Sequence, residues 1–269
     1  MLIKTGFSIG SRLIALCLLA LLTPAVHAQV TATLATNLPS AVDLRPAFTN
    51  WGLPLRQQGG RGTCSVFTLA GALEYALARA SGTGTVLSVE FLNWASNDAI
   101  GNPADGGFFS DLWRGFAQHG ICPEADWPYA PAYDADRRPT ASALALAKQT
   151  ADAALQLRWI KEWNVRTGLT DEQFLEIQRV LTRQWPVCGG LRWPKSERWR
   201  EGVLAMAPPE KVFDGHSVLL VGFRDDAAQP GGGVFLIRNS GGGRADAALP
   251  YAYVRAYLND AAWISPASH

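Results

Sequence analysis

An α+β fold, with helices gathered in the first half of the chain and antiparallel strands in the second, is predicted by three features of these 269 residues. A long, almost wholly apolar segment runs from Ser65 to Ala80, further helical patterns follow as far as Trp159, and β-branched alternating segments dominate from His216 onward. Helices segregated from strands imply two layers with a groove between them.

The first residues stand apart from this pattern. Lys4 and Arg12 precede the apolar run Leu13 to Leu22, and Val26-His27-Ala28 offers small residues where a signal peptidase reads. Residues 1–28 therefore read as a secretion signal cleaved near Ala28, and the product is expected outside the cytoplasm, in the periplasm or the medium. The run is shorter than the ~20 residues that cross a bilayer, so no stable membrane insertion is expected after cleavage. Residues 29–37 read as a short linker, and 38–269 as one large domain or two close-packed lobes.

In the long apolar segment Val66, Phe67, Leu69, Ala70, Leu73 and Leu77 leave almost no polar face, which predicts a buried central helix stopped by Ser81-Gly82. Ser88 is placed to cap a helix over Val89 to Ala95, and Ser110 to His119 reads as another short amphipathic helix. Ala141 to Trp159, rich in alanine and leucine, predicts a surface helix. Thr170-Asp171-Glu172-Gln173 is a capping box opening Phe174 to Arg183. Gly189 to Val212, with two tryptophans and three prolines, reads as a long surface loop near the groove. Strands are expected at His216 to Phe223, Val234 to Arg238 and Tyr251 to Leu258, with Pro230 to Gly233 as the hairpin turn between the first two.

Charge is nearly balanced, 24 Lys plus Arg against 23 Asp plus Glu, which indicates neither nucleic acid nor an anionic membrane surface as partner. No cysteine or histidine spacing suits zinc, and neither metal nor organic cofactor is expected. Cys17 falls in the signal, leaving Cys64, Cys122 and Cys188, an odd number of thiols for an exported protein.

Cys64 stands in Gln57-Gln58-Gly59-Gly60-Arg61-Gly62-Thr63-Cys64-Ser65, where a glycine-rich turn delivers it to the start of the apolar helix. Unpaired N–H groups and the helix dipole favour negative charge there, so the thiol is expected to lose its proton easily. A thiolate needs a proton acceptor, and the acceptor needs a group that fixes its ring. His216 opens one expected strand and Asn239 ends the next, in Phe235-Leu236-Ile237-Arg238-Asn239-Ser240. Singly, each has a structural explanation: a packed cysteine, a half-buried histidine, a turn-forming asparagine. Together they supply a nucleophile, a base and an orienting amide.

At this point the chain resembles the papain-like cysteine peptidases. Leu38-Pro39-Ser40-Ala41-Val42-Asp43-Leu44-Arg45 looks like the family's mature amino terminus, and Gln58, Gly59 and Cys64 match its glutamine, glycine and nucleophile. Leu87-Ser88, Gly106-Gly107, Gly120-Ile121 with Trp127-Pro128-Tyr129, Trp185-Pro186-Val187, the His216 strand and Arg238-Asn239-Ser240 follow in the family's order. The resemblance implies a two-lobed papain-like fold and a thiol peptidase, taken here as a monomer, that acts on protein or peptide substrates through an acyl-enzyme. It implies Cys64 as nucleophile, His216 as base and acid, and Asn239 as the group that orients the imidazole. Gln58 and the Cys64 backbone N–H would be the oxyanion donors. It further implies that Gly106 and Gly107 pair with substrate backbone, and that Phe108, Phe109, Gly190 and Gly215 line a roomy apolar specificity pocket.

The chain departs from the family's pattern in four places. Ser65 follows the nucleophile where a tryptophan is usual, and Arg61 replaces an upstream cysteine that is disulfide-bonded in many members. Gly241 stands where a tryptophan usually shields the asparagine to histidine bond. The short linker leaves no room for a long inhibitory propeptide. Ser65 and Gly241 motivate a rival reading, a degenerate papain-like domain that binds peptides without cutting them. A cell-wall cysteine endopeptidase or amidase is a second rival, with the same nucleophile and base in the same order.

Overall fold

The computed structural model describes residues 38–241 and 246–267. The expected signal and linker, residues 1–37, lie outside the described residues.

Helix α1 (Arg45–Asn50) leads to the central helix α2 (Cys64–Ser81), which runs one residue beyond its apolar pattern at each end. Val66, Leu69, Ala70 and Leu73 of α2 are completely buried. Gly82 closes the helix in the left-handed region at φ 79°, where a glycine carries no steric penalty, and its N–H donates to Ala78 O. Helices α3 (Val89–Ile100), α4 (Phe109–His119) and α5 (Ala141–Ala151) pack alongside. The Ser88 hydroxyl accepts from Phe91 N–H at 3.0 Å and caps α3 as expected. At α6 (Asp171–Thr182) both halves of the capping box form: Gln173 N–H donates to Thr170 Oγ1, and Thr170 N–H to Gln173 Oε1. Helix α7 (Tyr251–Tyr257) comes late in the chain.

Nine strands among the described residues form one sheet: β1 (Ala41–Asp43), β2 (Leu155–Lys161), β3 (Val187–Pro194), β4 (Trp199–Arg200), β5 (Val203–Leu204), β6 (Val212–Asp225), β7 (Gly233–Arg238), β8 (Asp246–Pro250) and β9 (Leu258–Pro266). Their order is β2-β9-β3-β6-β7-β8-β5-β4, with β1 paired to β6. Every pairing is antiparallel except that of β5 with β8. This is the α+β, two-lobed architecture that the sequence predicts. One apolar cluster joins α2 to the sheet, through Leu69 and Leu73 on one side and Val218, Val221 and Phe223 on the other. A smaller cluster lies beneath α3, around Phe91, Cys122, Trp127 and Ala147.

Three elements differ from the sequence reading. The alanine-rich helix stops at Ala151, and Leu155–Lys161 is instead a strand hydrogen-bonded to β9. Helix propensity there loses to the backbone partners that the edge of the sheet offers. Gly189 to Val212 is no surface loop: β3 runs through it, with Gly189, Gly190 and Leu191 buried between β6 and β9. Tyr251 to Tyr257 is a helix whose Tyr251, Tyr253, Val254 and Tyr257 are buried, so packing overrides the strand propensity of tyrosine and valine.

Candidate active site

Helix α2 begins at Cys64, so the thiol sits on a first turn whose N–H groups have no intrahelical acceptor. His216 lies on β6 opposite Leu191 of β3, and Asn239 follows the last residue of β7, the neighbouring strand. Cys64 and His216 line one cavity of about 360 Å³ together with Gly107, Phe108, Phe109, Gly190 and Gly215. With Trp163 and Asp260, residues from six separate stretches of the sequence thus meet at the junction of helices and sheet. Gly106 is not part of that lining. Its φ is +102°, a Cβ there would sit 2.2 Å from Gly62 O, and its N–H is taken by Asn93 Oδ1 at 2.8 Å.

Asn239 fixes the imidazole. Its Nδ2 donates to Gly241 O at 2.9 Å, and its Oδ1 accepts from Gly241 N–H at 3.1 Å, so the amide has one orientation. That oxygen lies 2.9 Å from His216 Nε2, which must carry the proton, and Nδ1 is left as the basic nitrogen. Asn239 is only 2% exposed. The shielding expected of a side chain at position 241 comes instead from β3: the buried Trp193 ring lies 4.5 Å from the imidazole, centroid to centroid. Trp193 Nε1 donates to Glu197, whose other oxygen accepts from Trp199 Nε1, so a carboxylate clamped by two indoles stands near the histidine.

Gln58 is braced from both sides. Its Nε2 donates to Arg61 O at 2.8 Å, and its Oε1 accepts from the Ser240 hydroxyl at 2.9 Å. A Cβ added at Gly241 would lie 3.3 Å from both Gln58 Oε1 and His216 Cε1, so the amide and the imidazole flank the same glycine. Ser65 Oγ accepts from Gly107 N–H at 3.3 Å. The residue that replaces a tryptophan therefore contacts the rim of the cleft directly.

The electrostatics modify the sequence expectation. Burial pushes the Cys64 thiol up, partly offset by the backbone N–H groups of Ser217 and Ser65. Burial also holds the His216 imidazole down, opposed by its bond to Asn239 and by the charge of Glu197. Each group alone thus favours its neutral form, and the helix start does not by itself yield a thiolate. The thiol itself donates to Gly215 O at 3.6 Å, the carbonyl that immediately precedes His216 in the chain. Cys122 and Cys188 are also unpaired thiols, and burial pushes Cys122 up to about 11.

Three contributors escape sequence reasoning. Asp260, 5% exposed, lines the cavity, and the missing side chain of Gly190 makes room for its carboxylate. Burial raises Asp260 to about 6, with Lys161 opposing. A lone acid in the apolar run Leu258 to Ile264 is the sequence signal for it. Trp163, half exposed, meets Phe108 edge-on at 5.7 Å and forms a second aromatic wall, and Trp193 lies on β3, in a segment whose glycines and prolines read as a loop.

Comparison with known proteins adds the following. A profile described as papain family cysteine protease matches residues 38–255. The fold is similar to xylellain, a cysteine protease from Xylella fastidiosa, at TM-score 0.67 and 21% identity, over 87% of this chain and 88% of that one. It is also similar to digestive procathepsin L 3 of the Tenebrio molitor larval midgut, at TM-score 0.62 and 20% identity over 86% and 71%. A third likeness is to the proform of Amb a 11, a cysteine protease and ragweed pollen allergen, at TM-score 0.58 and 21% identity over 87% and 67%. No curated protein sequence matches the chain.

Proposed function

The chain belongs to the papain family of cysteine proteases, and from that premise we propose that it hydrolyses peptide bonds by attack of the Cys64 sulfur, with His216, Asn239 and Gln58 as its partners. The observation that carries this reading is the locked Asn239 amide, which fixes the His216 tautomer and leaves Nδ1 free on a ring lining the same cavity as Cys64.

His216 Nδ1 takes the thiol proton as the sulfur attacks the scissile carbonyl carbon. One N–H of the Gln58 amide is held by Arg61 O. Its second N–H and that of Cys64 are the donors for the developing oxyanion, an interaction that strengthens as the tetrahedral species forms. The imidazolium then protonates the leaving amine, the C–N bond breaks, and a thioester remains. Water, deprotonated by the same nitrogen, attacks the thioester and releases the acid and the thiol. The long Gly107 to Ser65 bond is one that a substrate carbonyl can replace.

The cavity between Phe108, Trp163 and Gly190 takes a substrate side chain, and its acidic lining changes the expected preference. Asp260, lining the same cavity as Phe108 and Trp163, suits an arginine or lysine in addition to an apolar residue. The expected signal in residues 1–28 supports action outside the cytoplasm, which amino-terminal sequencing of the protein from its native fractions tests.

Iodoacetamide at mildly acidic pH is expected to label Cys64 ahead of Cys122 and Cys188 and to abolish hydrolysis of a mixed peptide library. Slow, equal labelling of all three thiols without hydrolysis would instead identify a peptide-binding domain. Cleavage confined to peptidoglycan fragments would identify a cell-wall enzyme.

A further inference from the structure

The turn that delivers Cys64 and the segment that carries Gly106 and Gly107 are distant in the chain and pressed together in space. A Cβ at Gly62 would lie 2.7 Å from Asp105 O, and Gly62 N–H donates to Asp105 Oδ2 at 3.2 Å. The side chain that spans the junction is Arg61, 5% exposed. Its Nε and Nη2 both donate to Asp105 Oδ1, at 3.1 and 2.8 Å. Its Nη1 donates to Glu90 Oε2 at 2.5 Å and to Ala130 O at 2.8 Å. The guanidinium also lies 4.4 Å from the Tyr129 ring centroid. Burial works against the cation, but bonds to Asp105 and Glu90 outweigh it and hold the group charged.

A buried ion pair contributes little net stability compared with apolar packing of the same volume, so stability alone does not account for this one. What it joins does. Asp105 precedes Gly106 and Gly107, Glu90 lies in the first turn of α3, and Arg61 stands three residues before the sulfur. The guanidinium fork fixes direction as well as distance, which an ammonium cannot do.

We propose that Arg61 is a positioning residue whose fork clamps the Asp105 to Gly107 segment against the turn before Cys64, setting the spacing between the peptide-holding rim and the attacking sulfur. This rests on the reading that the Gly107 rim holds substrate backbone. The arginine stands where many relatives have a disulfide-bonded cysteine, and a clamp of this kind is indifferent to the reductant that a nucleophilic thiol requires.

The test uses Arg61→Lys, Asp105→Asn and their combination in the full chain. Amide hydrogen exchange in residues 103–108 is expected to rise about 10-fold in each single variant, the loss of one charge-assisted bond, with α2 unchanged. KM for extended peptides is expected to rise by a similar factor, while the rate of Cys64 alkylation by iodoacetamide stays within about 2-fold, since that small reagent does not use the rim. The combination should be no worse than Arg61→Lys alone, because both changes break one link. Unchanged exchange in 103–108, a rise spread equally over the chain, a KM that does not follow the exchange, or additive effects would each overturn the clamp. If Arg61→Lys does not fold, Asp105→Asn at the more exposed end carries the same readouts. Wild-type protein that cuts no peptide defeats the peptidase reading alone, and exchange still decides whether the clamp exists.

Discussion

At the scale of single residues, the site is governed by burial. Asn239 carries three hydrogen bonds, and removing its side chain frees the imidazole to turn. Asn239→Ala is expected to lower kcat by about 10²-fold, the cost of a misplaced catalytic group, with KM little changed. Steady-state kinetics beside Cys64→Ala and His216→Ala, both expected to be inactive, check this. Asp260 permits a second expectation. Asp260→Asn should lower kcat/KM for substrates with arginine in the cavity by about 10–100-fold at pH 7, the worth of a charge-assisted bond, and leave leucine substrates unaffected. The same residue bears on stability. Its folded pKa, about 6, lies above the ordinary aspartate value, so the folded state holds the proton more tightly. Its contribution is present at low pH and is lost as pH rises through about 6, with ~3 kcal/mol as the order of the effect. Melting curves of Asp260→Asn should therefore rise above wild type at pH 7.5 and match it near pH 4.

At the scale of elements, local signals were most reliable where a side chain bonds its own backbone. The Thr170 box and the Ser88 cap form where the sequence places them. Thr170→Ala is expected to cost about 1 kcal/mol and to lower Tm by about 2–4 °C, measurable by calorimetry. Where the choice depends on a distant partner, local signals misled. Leu155–Lys161 follows an alanine-rich helix, and only β9 beside it makes it a strand. Tyr251–Tyr257 has the composition of a strand and is a helix because four of its side chains are buried on the sheet. Of the candidate site, Cys64, His216 and Asn239 are legible because a helix start and strand ends mark them, and Gln58 only through the family resemblance of its turn. Trp193 and Asp260 were not, since each acts through β3, which glycine and proline disguised as a loop.

At the scale of the whole molecule, one apolar cluster runs from the central helix through the sheet, so neither layer has a core of its own large enough to stand apart. Thermal unfolding followed by far-ultraviolet circular dichroism and by tryptophan fluorescence is expected to give coincident transitions, and two separate midpoints would contradict a shared core. The amino-acid sequence by itself determined the α+β class, the central helix with its cysteine, the capped helices and the places of Cys64, His216 and Asn239 at a helix start and two strand ends, because periodicity, caps and turns act over a few residues. Only the tertiary structure decided that a tryptophan from β3 covers the histidine, that an aspartate lines the cavity and that Arg61 bonds the aspartate before Gly106 and Gly107. Those contacts join segments tens of residues apart, and burial and hydrogen-bond geometry exist only once the layers have closed on each other.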